Sequence, residues 1–234
     1  WIIIAIGSAL LASMLMAIRN KQIIEENSAL QQQSEHVKTL TKEILSGTMH
    51  GLDIGLRGFA LTKEEKMLEP YTQAIEKNAG IFRDLEQILT TQRYKGISDL
   101  QTVKIEVDGY VRFCNEMIET AKMDSLNAVV SLLREDRGYG VWKKYDDFSK
   151  PLFVFEDDIY QKALAAYNGA IRNNLILQVC MVFLALPALI HIMRRITKER
   201  EARQELLLEV EQNDRKFVFD PGTERSMDAH VVIN

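Results

Sequence analysis

The side chains that could bind a metal or act as a nucleophile are few and scattered in this sequence of 234 residues. The four histidines are His36, His50, His191 and His230. Neither of the two cysteines belongs to a CxxC pair, and there is no HExxH pattern. A zinc site or a cysteine nucleophile needs such residues at short, regular spacing or gathered around a base. The sequence therefore predicts no metal site.

Patterns typical of other catalytic centres are absent or lack their structural context. The acidic groups Asp146–Asp147 and Glu156–Asp158 stand beside lysines, which is typical of a solvated helix surface. A carboxylate pair working as acid and base would need a buried cleft. Gly138–Gly140 gives a GxG without a preceding strand, and neither a P-loop nor a GxSxG turn is present. We therefore expect no catalytic residue and no cofactor.

The composition narrows the fold class and the partners. With 12 glycines, 4 prolines and 8% aromatic residues, the chain lacks the turn and core chemistry of a sandwich or a barrel. A hydrophobic fraction of 47% excludes a disordered chain, and two cysteines exclude a disulfide framework. The net charge of −4 gives no basis for a nucleic-acid partner.

Two long apolar runs bracket a polar middle. Residues 1–18 and 175–193 are close to the roughly 20 residues that a helix needs to cross a bilayer, and they are apolar on all faces. We prefer transmembrane helices to buried core helices for both runs. For the first run a signal-peptide core is a further alternative, but such cores span only about 7–15 residues.

Basic residues set the expected orientation. Because loops rich in lysine and arginine stay in the cytoplasm, the segment after the second span should be cytoplasmic and residues 19–174 should lie outside. The basic residues after the first run, Arg19 and Lys21, are followed at once by acidic ones. Those after the second run are Arg194, Arg195, Lys198, Arg200 and Arg203.

Apolar rows with a seven-residue spacing are the main structural signal between residues 19 and 174. This spacing is typical of helices that pack as in a coiled coil, and no strand pattern accompanies it. We therefore expect an all-α, antiparallel four-helix bundle whose first and fourth helices are continuous with the two spans. The rows are Ile23, Leu30, Val37 and Ile44, then Leu45, Leu52 and Phe59 in the first helix; Leu68, Ile75, Phe82 and Leu89 in the second; Leu100, Val107, Cys114 and Ala121 in the third; and Tyr145, Leu152, Ile159 and Ala166 in the fourth.

Breaks in the rows mark the expected corners. Thr62 with Glu65 has the spacing of a capping box at a helix start. Pro70 should bend or restart the second helix, and Ser98 could cap the third. A short helix is expected over residues 125–134.

The last segment is expected to be cytoplasmic. Residues 194–213 should form a signalling helix with a coiled-coil stripe at Leu206, Leu207, Leu208 and Val210. Lys216–Phe219 is β-prone and Asp220–Gly222 predicts a turn. Because the chain begins at Trp1 rather than Met, and residues 214–234 only begin a further region, we expect it to be part of a longer protein.

The segment LRGFALTKEEKMLEPY, residues 56–71, is distinctive. It resembles the signature of the third class of CHASE-type domains, extracellular sensory modules associated with cyclases and histidine kinases. That family also has one span, a four-helix outer domain and a second span, which here covers residues 1–193. The matching positions are Arg57, Gly58, Phe59, Thr62, Glu65, Leu68, Glu69, Pro70 and Tyr71.

The resemblance implies a sensory input module, multi-pass in a bacterial inner membrane and dimeric, with an extracytoplasmic ligand that the residues do not identify. Its output would be a histidine kinase or a cyclase. The two-helix pattern of a HAMP linker is not recognisable after the second span. The RKFVFDPG segment weakly resembles the start of a GAF-type region. Arg57, Glu69 and Tyr71 could contact the ligand. We prefer a structural role, in which a buried Arg–Glu pair and a packed tyrosine hold the hairpin.

Two alternatives stay open. A methyl-accepting chemoreceptor also has a four-helix outer bundle, and would carry a long methylated hairpin beyond Asn234. A helical membrane scaffold without signalling output would carry no output domain.

Overall fold

The computed structural model describes residues 2–123 and 126–218, and the side chains of residues 6–123 and 127–212. All regular structure in these ranges is helical, which confirms the all-α prediction. The helices are α1 (Ile2–Glu43), α2 (His50–Thr62), α3 (Glu69–Thr91), α4 (Ile97–Lys122), α5 (Leu126–Leu133) and α6 (Arg137–Val218), with a π-helical segment at Ile44–Met49 and a 3-10 turn at Glu65–Leu68.

Residues Ile18–Arg172 form one compact unit. In this unit the first helix of the bundle consists of part of α1, the π-helical segment and α2, and the other three helices are α3, α4 and the first part of α6. The predicted helical bundle is therefore confirmed. The short helix expected over residues 125–134 is α5, and the residues Asp124 and Ser125 before it lie outside the described ranges.

The π-helical segment explains a feature of the heptad rows. The first row ends at Ile44 and the second begins at Leu45, so the seven-residue phase shifts by one residue between them. A π turn holds about one residue more than an α turn. It therefore absorbs the extra residue, and both Ile44 and Leu52 reach the core.

The core consists mainly of the predicted rows. In α4 the whole row is buried, and in α3 Tyr71, Phe82 and Leu89 are buried. The largest fully buried side chains are Phe82, Phe148, Ile44, Leu52, Leu56, Leu85, Leu89, Leu100, Met117, Leu152, Glu156 and Val37. At about 25 cal/mol per Å² of apolar surface, such burial is the main contribution to the stability of the bundle.

Four positions differ from the expected pattern. Leu30, Ile75 and Ala166 are exposed although they belong to predicted rows, and Glu156 is buried although we expected it on a solvated surface. In α6 the reason is the helical period. At 3.6 residues per turn a strict seven-residue row drifts round the helix, so the buried face passes from Leu152 to Glu156 and Ala163.

The residues at the helix ends also differ in part from the sequence prediction. Thr62 ends α2 instead of opening a helix, and its hydroxyl donates to the Gly58 carbonyl at 2.8 Å. The same hydroxyl accepts the backbone N–H of Glu64 at 3.2 Å, so the hydroxyl half of the predicted capping box is present, whereas its placement at a helix start is wrong. The chain turns at Lys63, whose φ of 64° is left-handed. Gly96, not Ser98, precedes α4. Pro70 lies in the first turn of α3, where a missing N–H is harmless, and this confirms the predicted restart.

The described residues outside this unit, 2–17 and 173–218, belong to α1 and α6. Among the described residues, α6 is the one helix whose length and composition would allow it to cross a membrane, with a window of mean hydropathy 2.4 that is not buried. The first apolar run lies partly outside the described side chains, and its span stays a prediction. α6 continues to Val218, so the β-prone interpretation of Lys216–Val218 is wrong. Phe219, the turn at Asp220–Gly222 and the rest of the chain lie outside the described residues.

Candidate functional site

The unit Ile18–Arg172 contains a cleft of about 540 Å³ between α2, α4 and the loop that leads into α6. Its walls combine apolar and charged side chains, all contributed from within this unit. The cleft is lined by Leu45, Ser46, Met49, His50, Asp53, Arg57, Tyr110, Phe113, Met117, Leu133, Asp136, Arg137 and Gly138. Its volume lies in the range of small-molecule sites in proteins.

Charged groups of both signs stand in the cleft. Arg57 Nε lies 2.8 Å from Asp53 Oδ1, one helical turn earlier in α2. The guanidinium of Arg137 lies 4.5 Å from the ring centre of Phe113, and one of its nitrogens is 2.9 Å from Glu135. Arg57 and Arg137 are about half exposed or more, so these ion pairs are weak and their donors stay accessible to a bound molecule.

The floor of the cleft is apolar. Burial, with smaller contributions from nearby Cys114 and Asp53, raises the pKa of Tyr110, so its hydroxyl stays neutral. Among the described lining residues there is no serine, cysteine or threonine paired with a base. The arrangement combines apolar walls with accessible charged groups, which suits a small molecule that carries charge on an apolar body.

The π-helical segment forms part of this cleft. Leu45, Ser46 and Met49 all belong to it and all line the cavity. π segments are rare, and they occur frequently at functional sites because they reorient side chains that an α-helix would turn away. The sequence signal for this segment is the one-residue shift between the row ending at Ile44 and the row starting at Leu45, which the predicted uninterrupted first helix leaves unexplained.

The structure separates the three residues of the predicted hairpin site. Arg57 lines the cleft, whereas Glu69 is exposed in the first turn of α3, where it accepts a hydrogen bond from Gln73 Nε2 at 3.1 Å. The predicted buried Arg57–Glu69 pair is wrong, because Asp53 lies one turn from Arg57 on the same helix and pairs with it instead.

Tyr71 is packed as predicted. Its ring is buried, and its hydroxyl donates to Asn115 Oδ1 at 2.7 Å, which joins α3 to α4. Burial raises the pKa of Tyr71 to about 12. The tyrosine therefore holds the start of α3 in the bundle and does not line the cleft.

Glycines permit the close approach of α2 to the chain around α3. A Cβ added at Gly55 would lie 2.6 Å from Tyr71 Cβ and 2.9 Å from Tyr71 N. At Gly51 it would lie 3.0 Å from Ala74 Cβ, and at Gly58 3.2 Å from Met67 Cβ. The sequence signal for this close approach is the spacing of Gly47, Gly51, Gly55 and Gly58, which was not among the predicted features.

Cys114 should be chemically inert in the folded chain. Its side chain is fully buried, and burial raises its pKa to about 12, so the reactive thiolate is scarce at neutral pH. In a Cys180→Ser background we expect no modification by a maleimide under native conditions and complete modification in guanidinium. Rapid native modification, measured by mass spectrometry, would contradict the burial of α4.

The matches to known proteins concern this same region. A family model described as the CHASE3 domain matches residues 27–148, which is more than half of the chain. The matched residues contain the motif at 56–71 and every residue that lines the cleft. No curated protein and no solved structure matches the sequence.

Proposed function

The chain belongs to the CHASE3 domain family, and from that premise we propose that it is the signal-sensing input region of a bacterial transmembrane sensor protein of the histidine-kinase type. CHASE3 domains are extracellular sensory domains found in sensor kinases and cyclases. In this proposal the outer domain receives an extracytoplasmic cue, and the second membrane helix transmits it to a cytoplasmic output.

The observation that carries the proposal is the order of segments along α6. The family match ends at residue 148 inside α6, and the same helix later contains the apolar window. A change in how the first part of α6 packs would reach residues beyond the membrane without crossing a flexible linker, because no break in the helix intervenes. The basic residues after Met193 support a cytoplasmic position for its last part.

The same layout supports our proposal for the partners. We propose that the chain spans the lipid bilayer twice, works as a homodimer and binds an extracytoplasmic ligand, with no role for nucleic acid. Support for dimer contacts comes from the stripe at 194–213, which sits on a densely charged helix. In the single chain the apolar side chains of this stripe are all exposed, and a second copy could cover them. They are Leu206, Leu207, Leu208 and Val210.

Cysteine labelling in cells tests the proposed topology. In a background without Cys114 and Cys180, Lys95→Cys places a thiol at the exposed corner between α3 and α4, and Arg203→Cys places one late in α6. We expect a membrane-impermeant maleimide to label position 95 in spheroplasts and position 203 only after lysis. Labelling of both positions, or of position 203 alone, in intact spheroplasts would overturn the topology.

A second readout separates a sensor from an inert scaffold. Residues 1–212 are fused to the catalytic core of a histidine kinase, and one to three residues are inserted after Ala202. Each inserted residue turns the helix beyond it by about 100°. We therefore expect kinase output to vary with the number of inserted residues. Output that ignores the insertions would contradict signal transmission through α6.

A further inference from the structure

The core of the unit Ile18–Arg172 contains an unusual acidic side chain. Glu156 of α6 is 0% exposed, and among the described residues neither of its carboxyl oxygens has a hydrogen-bond partner. A buried ionised carboxylate without partners is strongly unfavourable, so such a group either finds a partner or takes up a proton. The surroundings of Glu156 indicate which of these applies.

Three elements meet at this residue. From α1, the Ser34 hydroxyl donates to the Glu156 backbone carbonyl at 2.8 Å, so its proton is already used. From the end of α3, Gln92 lies close enough to affect the carboxyl, and both polar atoms of its amide are also buried without a partner. Tyr94 follows from the corner between α3 and α4, with its ring 5.0 Å from that of Phe155.

The cation whose charge acts on Glu156 is paired with other carboxylates. Lys38 of α1 is held by the carboxylates of Asp157 and of Glu35, the latter at 3.1 Å. Among the described residues, the groups that act on Glu156 are Ser34 and Lys38 from α1, the latter already paired with two carboxylates, and the neutral Gln92 and Tyr94. None of them neutralises an ionised Glu156 directly.

A neutral carboxyl group would suit this environment. A protonated carboxyl donates one hydrogen bond and accepts another, and a primary amide offers the complementary acceptor and donor. The neutral acid can thus satisfy the orphaned atoms of both Glu156 and Gln92. An ionised carboxylate only accepts, so it can use the amide N–H of Gln92 but leaves the buried amide oxygen without a donor.

We infer that Glu156 is a proton-binding site, neutral in the packed bundle, and that loss of its proton weakens the packing of α1 against α6. The same stretch carries the other bonds between these helices, from Ser34 to Glu156 and from Lys38 to Asp157. The proposal concerns packing within the unit and does not depend on the proposed sensory function.

The direction of the pH effect follows from the pKa. Burial raises the pKa of Glu156, and the nearby Ser34, Gln92 and Lys38 offset only part of that rise. Below the pKa of the unfolded chain both states are protonated and the full stability is present. As the pH rises, the unfolded chain loses its proton first, so stability falls until the pH passes the folded pKa.

Hydrogen exchange on the whole chain in detergent tests this inference. Protection of residues 30–38 and 153–160, corrected for the intrinsic exchange rate, is followed from about pH 4 to about pH 8. In the wild type we expect protection to fall as pH rises. Between the unfolded and the folded pKa of Glu156, the fall should reach up to about tenfold per pH unit. Glu156→Gln keeps a neutral group with a donor and an acceptor, so its profile should be flat.

The matched control is Asp158→Asn, which removes an exposed carboxylate of the same helix that pairs with Lys162 at 2.6 Å. It should keep the wild-type slope. A flat wild-type profile, or a Glu156→Gln profile as steep as the wild type, would overturn the inference.

A measurement on the wild-type fold covers the case in which Glu156→Gln does not fold. With ¹³C-labelled glutamate, infrared titration should show one protonated carboxyl that persists above the normal pH range of glutamate. It should be absent in the alternative variant Glu156→Leu. If all glutamates titrate in the ordinary range near pH ~4.3, the proton-binding site does not exist.

Discussion

Gly55→Ala is expected to destabilise the bundle by about 3 kcal/mol, the upper end of the usual penalty for overpacking. The new methyl group would lie 2.6 Å from Tyr71 Cβ and 2.9 Å from Tyr71 N. The second atom belongs to the backbone of α3, so a rotamer change cannot relieve the overlap. α2 and α3 must instead separate, and this opens the contacts of the buried Tyr71 with α4.

Gly80→Ala is the matched control. Gly80 lies inside α3, and the nearest atom to an added Cβ is a terminal nitrogen of Arg83 at 4.0 Å. Alanine should therefore stabilise this helix by about 0.5–1 kcal/mol. Denaturant unfolding of the whole chain in detergent, followed by maleimide reaction at Cys114, measures both variants. Equal stability of Gly55→Ala and the wild type would contradict the close approach of the two helices.

Deletion of Ser46 should leave the fold intact, whereas deletion of Glu116 should unfold the bundle. Both residues are exposed. Removing a residue from an ordinary α-helix turns everything beyond it by about 100°. In α4 this moves Met117, Ile118 and Ala121 off the core, and losing several such side chains at about 2–5 kcal/mol each exceeds the stability of a typical domain.

Ser46 differs because it lies in the π-helical segment. Removing one residue there converts the wide turn to an α turn and brings Ile44 and Leu52 into a common seven-residue phase. The core rows then keep their positions, while the wall of the cleft formed by Leu45, Ser46 and Met49 changes. Circular dichroism and Cys114 protection compare the two deletions. If both unfold the chain to the same extent, the segment does not hold a surplus residue.

Apolar periodicity made most of the bundle predictable. A seven-residue row such as Leu100, Val107, Cys114 and Ala121 has one face, and burying that face dominates the free energy of folding. The motif at residues 56–71 likewise indicated the family. The cap at Thr62 was not predictable in this way, because a threonine can end a helix by bonding to the carbonyl four residues back as readily as it can begin one.

The candidate site was less visible in the sequence. Arg57 was identified, but its cleft joins the π-helical segment and α2 to Phe113 and Arg137, which are far apart in the chain. The burial of Glu156 was hidden for a different reason. Its acidic neighbours Asp157 and Asp158 face solvent, and local composition does not show which of three adjacent carboxylates a neighbouring helix will cover.

The surplus residue in the first helix also has an evolutionary consequence. The π-helical segment separates two heptad registers. The apolar row before Ile44 and the row that contains Leu52 therefore need not share one seven-residue phase. Homologues should therefore differ by single-residue insertions or deletions between positions 44 and 50 far more often than inside α3 or α4. In an alignment of the family, an isolated one-residue gap at this place would mark a lineage that has lost or regained the wide turn.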